Sequence, residues 1–119
     1  MRSQPVLLIA EDNPLMRKLI RSVVEDLDPE ILECADGAAA CRLYERHRPD
    51  WLLMDISMAP MDGLTATRAI LARFPDARIV IVTQHTDDAT VARAIDAGAY
   101  GFVGKHSLLP LRQLLTGIP

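Results

Sequence analysis

Cysteine is scarce in this chain, with Cys34 and Cys41 the only two. They form neither a Cys-x-x-Cys pair nor a zinc-ligand spacing, which argues against a redox motif or a structural zinc site, and the expectation is two buried free thiols in a reducing cytosol. A basic excess is missing too. The net charge of −3 and pI near 5.5 give no electropositive footprint, so this domain is not expected to bind nucleic acid directly. Long hydrophobic runs are also lacking. The amino-terminal run, Val6 to Ala10, follows a single arginine and is only five residues long, too short for a signal-peptide core or a membrane span. A cytoplasmic location without a membrane partner is therefore expected. Internal repeats, low-complexity segments and long linkers are absent. What is present is globular composition: 50% hydrophobic and 24% charged residues over 119 positions, enough for one core and too little for two of ordinary size.

Read in order, the chain alternates between two hydrophobic periods. Val6–Ala10 is continuously apolar, the pattern of a strand buried on both faces. Asn13 offers an N-cap with Pro14 at the first helical position, and Leu15, Met16, Leu19, Ile20, Val23, Val24 and Leu27 recur at helical spacing until Asp28-Pro29. Residues 31–35 read as a second strand, and Asp36-Gly37 opens an Ala-rich helix to about His47. Trp51–Met54 is a third strand that delivers Asp55 to its carboxyl end, followed by a loop with Pro60 and Asp62-Gly63 turn signals. Leu64, Thr67, Ile70, Leu71 and Phe74 mark a helix that Pro75 closes, and Arg78–Thr83 is a fourth strand. A helix from near Asp87-Asp88 to Gly98 carries Val91, Ala94 and Ile95 inward. A shorter strand, Tyr100–Val103, leads to Lys105. Ser107 caps a last helix with Pro110 in its first turn and Leu111, Leu114 and Leu115 following.

Five strands alternating with five helices predict a single α/β domain, a doubly wound parallel sheet covered on both faces. In such sheets ligands bind beyond the carboxyl ends of the strands, where strand order reverses. Four strand exits here carry polar residues: Glu11 and Asp12, then Asp55, then Thr83, then Lys105. One exit alone would be an ordinary loop-capping carboxylate. Four on one edge point to a site. Three carboxylates drawn together repel unless a cation lies between them, and oxygen-only donors favour Mg²⁺, which keeps waters that a phosphoryl oxygen can replace. Asp55 can then serve as nucleophile, with Lys105 and the Thr83 hydroxyl binding phosphoryl oxygens. Lysine at this exit is suggestive, because Lys18 is the only other one.

Glu11-Asp12, Asp55 with Asp62-Gly63 downstream, Thr83, and Gly98-Ala99-Tyr100-Gly101-Phe102 leading to Lys105 together resemble the receiver domains of two-component response regulators. The resemblance covers residues 1–119 as one receiver domain. It implies a flavodoxin-like (βα)₅ fold with strand order 2-1-3-4-5 and a phosphoryl switch. A sensor histidine kinase or phosphotransfer protein would phosphorylate Asp55. Mg²⁺ would be held by Glu11 or Asp12, Asp55 and the Ser57 backbone carbonyl. Thr83 and Phe102 would form the switch pair, and the surface of helix four, strand five and helix five would respond. Apart from its own phosphorylation and dephosphorylation, no enzymatic turnover is implied. A homodimer formed on phosphorylation is a further expectation.

Two departures from the family pattern stand out. Ala59 lies where the family commonly has proline, with Pro60 one residue later, which moves the restriction before proline onto Ala59. His106 replaces the proline that often follows the lysine, which predicts no cis bond there. His85 either lines the mouth of the site as a modulator of hydrolysis or faces solvent as an ordinary loop histidine. Trp51 is assigned to packing and Tyr100 to the surface. A hydrolase of the haloacid-dehalogenase kind would need a second Asp two residues after Asp55, where this chain has Ser57. A phosphorylation-independent interaction domain would lose part of the acidic set, which is complete here. The Thr83-Gln84-His85 loop is most similar to receivers of the NarL/FixJ type, which carry a helix-turn-helix transcriptional output. The chain stops just after the last helix, where a linker would begin, so a longer regulator is the expectation.

Overall fold

The computed structural model describes residues 4–116. Five strands, β1 (Val6–Ala10), β2 (Glu30–Cys34), β3 (Trp51–Met54), β4 (Ile79–Thr83) and β5 (Gly101–Gly104), form one parallel sheet in the order β2-β1-β3-β4-β5. Five helices connect them: α1 (Pro14–Val24), α2 (Gly37–His47), α3 (Gly63–Arg73), α4 (Asp88–Asp96) and α5 (Leu109–Thr116). This is the doubly wound, flavodoxin-like arrangement expected. All strands point the same way, so every exit opens on one edge. The order reverses between β1 and β3, which places Glu11 beside Asp55.

The sheet is buried on both faces, with alternate residues of each strand feeding two cores. Leu8, Ala10, Leu52, Met54, Ile79 and Ile81 meet Ala40, Tyr44, Leu64, Ile70 and Ala94, so α2, α3 and α4 cover one face. Leu7, Ile9, Leu53, Val80, Val82 and Val103 meet Ile20, Val24, Leu108 and Leu111, so α1 and α5 cover the other. Leu8 and Leu52 are fully buried, and each such side chain contributes about 1.5–3 kcal/mol relative to exposure.

Local chemistry starts α1 to α4 where the sequence says. Asn13 accepts the N–H of Met16, Asp36 that of Ala39, Asp62 that of Thr65 and Asp87 that of Thr90. Each satisfies one of the amide groups that a helix start leaves without a partner. Pro14 is the first residue of α1, and Gly98 takes the left-handed conformation, φ +94°, that ends α4.

Several expectations are corrected. Leu15 and Leu19 are exposed, because only α5 lies beside α1 on that face and the buried stripe narrows to Met16, Ile20, Val23 and Val24. Ile95 is exposed for the same kind of reason: α4 sits on the sheet through Thr90, Ala94 and Ala97. α1 stops at Val24 and passes through a 3₁₀ turn, Glu25–Leu27, to Asp28 in the left-handed region. α5 starts at Leu109, and the Ser107 N–H instead closes a turn onto the Gly104 carbonyl. Cys34 and Cys41 are free but half-buried. Burial pushes the Cys34 thiol up to about 11. Tyr100 lies outside β5 and is exposed, yet its ring stands edge-on to Trp51 at 5.0 Å between centroids.

Candidate functional site

The site forms where the backbone ladders run out. The Glu11 N–H donates to the Cys34 carbonyl and the Asp55 N–H to the Ala10 carbonyl, both at 3.0 Å, so each carboxylate is held one residue beyond its strand. The Arg17 guanidinium adds a 2.7 Å hydrogen bond to the Glu11 carbonyl oxygen. β5 ends beside β4, and the Lys105 N–H donates to the Thr83 carbonyl at 2.8 Å. From there the ammonium reaches across the edge.

Lys105 Nζ lies 2.7 Å from Glu11 Oε1 and 3.2 Å from Asp55 Oδ1. The Glu11 contact is a close ion pair without the angles of a well-directed hydrogen bond, and Glu11 Oε2 accepts the Asn13 N–H at 3.1 Å. Glu11 and Asp55 are buried, whereas Asp12 is exposed. Burial holds the Glu11 carboxyl above its ordinary value despite the opposing pull of Lys105 and the Asn13 amide. Burial alone would lower Lys105, but Glu11 and then Asp55 carry it above its ordinary value. Each side chain is tolerable there because the other is present.

A cavity of about 150 Å³ opens at this edge, lined by Glu11, Asp12, Asn13, Asp55, Ser57, Gln84 and Lys105. Carboxylate oxygens of Glu11, Asp12 and Asp55 lie within 4.8 Å of one another. Asp12 has no ion pair among the described residues. These donors are all oxygen, as a hard divalent cation requires, and Asp12 and Asp55 are less engaged than Glu11, whose two oxygens face Lys105 and Asn13.

Of the residues selected from the sequence, Glu11, Asp12, Asp55, Ser57 and Lys105 come together in this cavity. Thr83 is buried at the end of β4, and its hydroxyl oxygen accepts the His85 N–H at 3.1 Å. The His85 side chain is exposed and is not among those lining the cavity. Phe102 is half-buried against the core, opposite Ile81 in the β4–β5 ladder. Asn13 and Gln84 line the cavity unforeseen. The capping role of Asn13 accounts for it fully in the sequence, and Gln84 follows Thr83, whose own polarity marks that exit. Asp62 is taken up in capping α3, where it also accepts the Thr65 hydroxyl.

The loop between Asp55 and α3 is closely held. Gly63 has no alternative at its position, since a Cβ there would stand 1.9 Å from the Asp55 carbonyl oxygen. The Ala59–Pro60 peptide is cis, the only such bond among the described residues, and the bond from Lys105 to His106 is trans as expected.

The sequence model of the response regulator receiver domain matches residues 7–116. The chain belongs to the response regulator receiver family. The uncharacterized transcriptional regulatory protein YhcZ of Bacillus subtilis is 37% identical over 117 residues, which cover 93% of this chain and 55% of YhcZ. The oxygen regulatory protein NreC of Staphylococcus epidermidis is 34% identical over 116 residues, 94% of this chain and 52% of NreC. The crystal structure of a LuxR-family two-component response regulator from Aurantimonas sp. SI85-9A1 superposes with a TM-score of 0.86 at 34% identity, covering 98% of this chain and 85% of that one. This receiver thus spans about half the length of these two regulatory proteins. No helix among its described residues is long and apolar enough to cross a membrane.

Proposed function

We propose that this receiver is a phospho-accepting switch in which Asp55 takes a phosphoryl group from the phosphohistidine of a sensor histidine kinase or phosphotransfer protein. The observation that carries the reading is the Lys105 ammonium held between Glu11 and Asp55 in an acidic cavity at the strand-order reversal. An Asp55 oxygen attacks phosphorus as the bond to the imidazole nitrogen breaks, leaving an aspartyl phosphate and, with the proton carried on the other ring nitrogen, a neutral histidine. Lys105 is already at the carboxylate and donates to a phosphoryl oxygen. The Thr83 hydroxyl presently accepts from His85, which leaves its own proton to donate to another.

Asp12, Asp55 and the Ser57 carbonyl would hold Mg²⁺, with Glu11 steadying Lys105 beside them. Bound there, the cation neutralises the clustered carboxylates and the charge on the phosphoryl oxygens. Movement of Thr83 toward the phosphoryl group makes room for Phe102, which lies diagonally from it across β4 and β5, two positions off in register, and biases the α4, β5 and α5 surface toward a partner-binding state. His85 remains a candidate modulator through its backbone contact to Thr83. The match over about half the length of the transcriptional regulatory protein YhcZ supports a role in transcription; the proposal places that role in the cytoplasm, with any DNA contact made by another domain and homodimerisation following phosphorylation. Incubation with acetyl phosphate and Mg²⁺ should add the mass of one phosphoryl group to the wild type and none to Asp55→Asn. Equal labelling of both would overturn the reading.

A further inference from the structure

We infer that Gly37, the first residue of α2 and outside the cavity, is a positioning residue for the loop that carries Ser57 past Asp55. The first N–H groups of a helix have no acceptor within it. That of Gly37 is given to the loop, donating to the Met61 carbonyl at 2.9 Å. A Cβ at Gly37 would lie 2.6 Å from the Met61 carbonyl oxygen, 2.9 Å from that of Asp62 and 3.0 Å from Ala66 Cβ. The nearest of these are backbone atoms, which cannot rotate aside as a flexible side chain would. Gly37 does not have a positive φ, so its backbone does not require glycine. Intrinsic preference favours alanine in a helix by about 1 kcal/mol. Close approach to the loop is what the glycine permits.

Met61 and Asp62 end the loop that begins after Asp55. Its other end is fixed at the Ile56 carbonyl, which accepts the Met58 N–H at 3.0 Å and the Gly63 N–H at 2.9 Å. Gly63 in turn rests against the Asp55 carbonyl. A push at Met61 is therefore taken up between the two anchors, in residues 57–60, where Ser57 lines the cavity. Through this contact α2, which supplies no side chain to the site, sets the position of the Ser57 carbonyl.

The inference rests on the Mg²⁺-dependent reading, so Mg²⁺ binding is measured by calorimetry on wild type, Gly37→Ala and Gly101→Ala. The atoms nearest to a Cβ at Gly101 all belong to the Leu114 side chain, at 2.9 Å and beyond, and none of them to the loop. Gly37→Ala should bind Mg²⁺ about tenfold more weakly while melting cooperatively, as loss of a group that orients a ligand does, and Gly101→Ala should bind as wild type does. Wild-type binding with equal affinity in Gly37→Ala overturns the inference alone. A wild type that binds no Mg²⁺ overturns the phosphoacceptor reading and this inference with it. Should Gly37→Ala fail to fold, hydrogen exchange of the wild-type Gly37 amide decides: Mg²⁺ should slow it several-fold, and an unchanged rate overturns the inference.

Discussion

Lys105 and Glu11 face each other at 2.7 Å with only 12% and 1% of their side chains exposed. Removing one partner of such a pair leaves a buried charge and costs about 3–5 kcal/mol. Glu11 stands above its ordinary value of 4.5, so its contribution favours the folded state below that value and is lost as pH rises through the folded one. Lys105 is also raised, from 10.5, so its stabilisation is complete below that pH and lost above it. Lys105→Met should therefore melt far below wild type at pH 7.5 in EDTA, and the deficit should shrink as pH falls toward 4.5 and Glu11 takes a proton. Thermal melts across that range test this; a deficit independent of pH would contradict the pairing.

Asp12 contributes charge to the cluster without an ion pair among the described residues. Replacing it by Asn keeps its shape and removes one repulsive charge, so Asp12→Asn should melt slightly above wild type in EDTA. Mg²⁺ should reverse the order. At ten times its dissociation constant it stabilises wild type by about 1.4 kcal/mol, a rise of several degrees, and the variant by much less. A variant with the full Mg²⁺ shift would show that Asp12 is no ligand.

Trp51 opens β3 with the Arg78 guanidinium over its ring, 4.2 Å from the centroid, and the Tyr100 ring edge-on to it. Asp55 lies four residues further on, roughly 13 Å away at about 3.3 Å per strand residue. Tryptophan fluorescence should stay nearly constant during a Mg²⁺ titration that calorimetry shows to saturate. Strong quenching would mean that the cation binds elsewhere or that it rearranges β3.

Cys34, with its thiol near 11, is almost wholly protonated at pH 8. Only the thiolate reacts, so its reaction with Ellman's reagent should be about a hundredfold slower than that of a thiol titrating near 9. Stopped-flow rates on Cys41→Ser isolate it. A rate equal to that of a free thiol would show that the burial is not maintained in solution.

The site was legible in the sequence because parallel strands deliver their exits to one edge, and the residues after β1, β3 and β5 are chemically unlike their surroundings. Asn13 and Gln84 escaped because one was fully explained as a cap and the other stood beside a more conspicuous Thr83. Leu15, Leu19 and Ile95 show a different limit. Spacing of apolar residues gives a helix its face, but how wide a stripe is covered depends on which helices lie alongside. Gly37 is legible in the sequence only as the opening of a helix with Asp36, since its contact with Met61 joins segments distant in sequence.

Every role proposed for the site depends on Asp55 becoming the aspartyl phosphate. The most direct test is borohydride reduction after incubation with acetyl phosphate and Mg²⁺, which converts an aspartyl phosphate to homoserine, followed by peptide sequencing in the mass spectrometer. Homoserine is expected at position 55 and nowhere else. Homoserine at Asp12 or Asp62, or none anywhere in a protein that calorimetry shows to bind Mg²⁺, would contradict it.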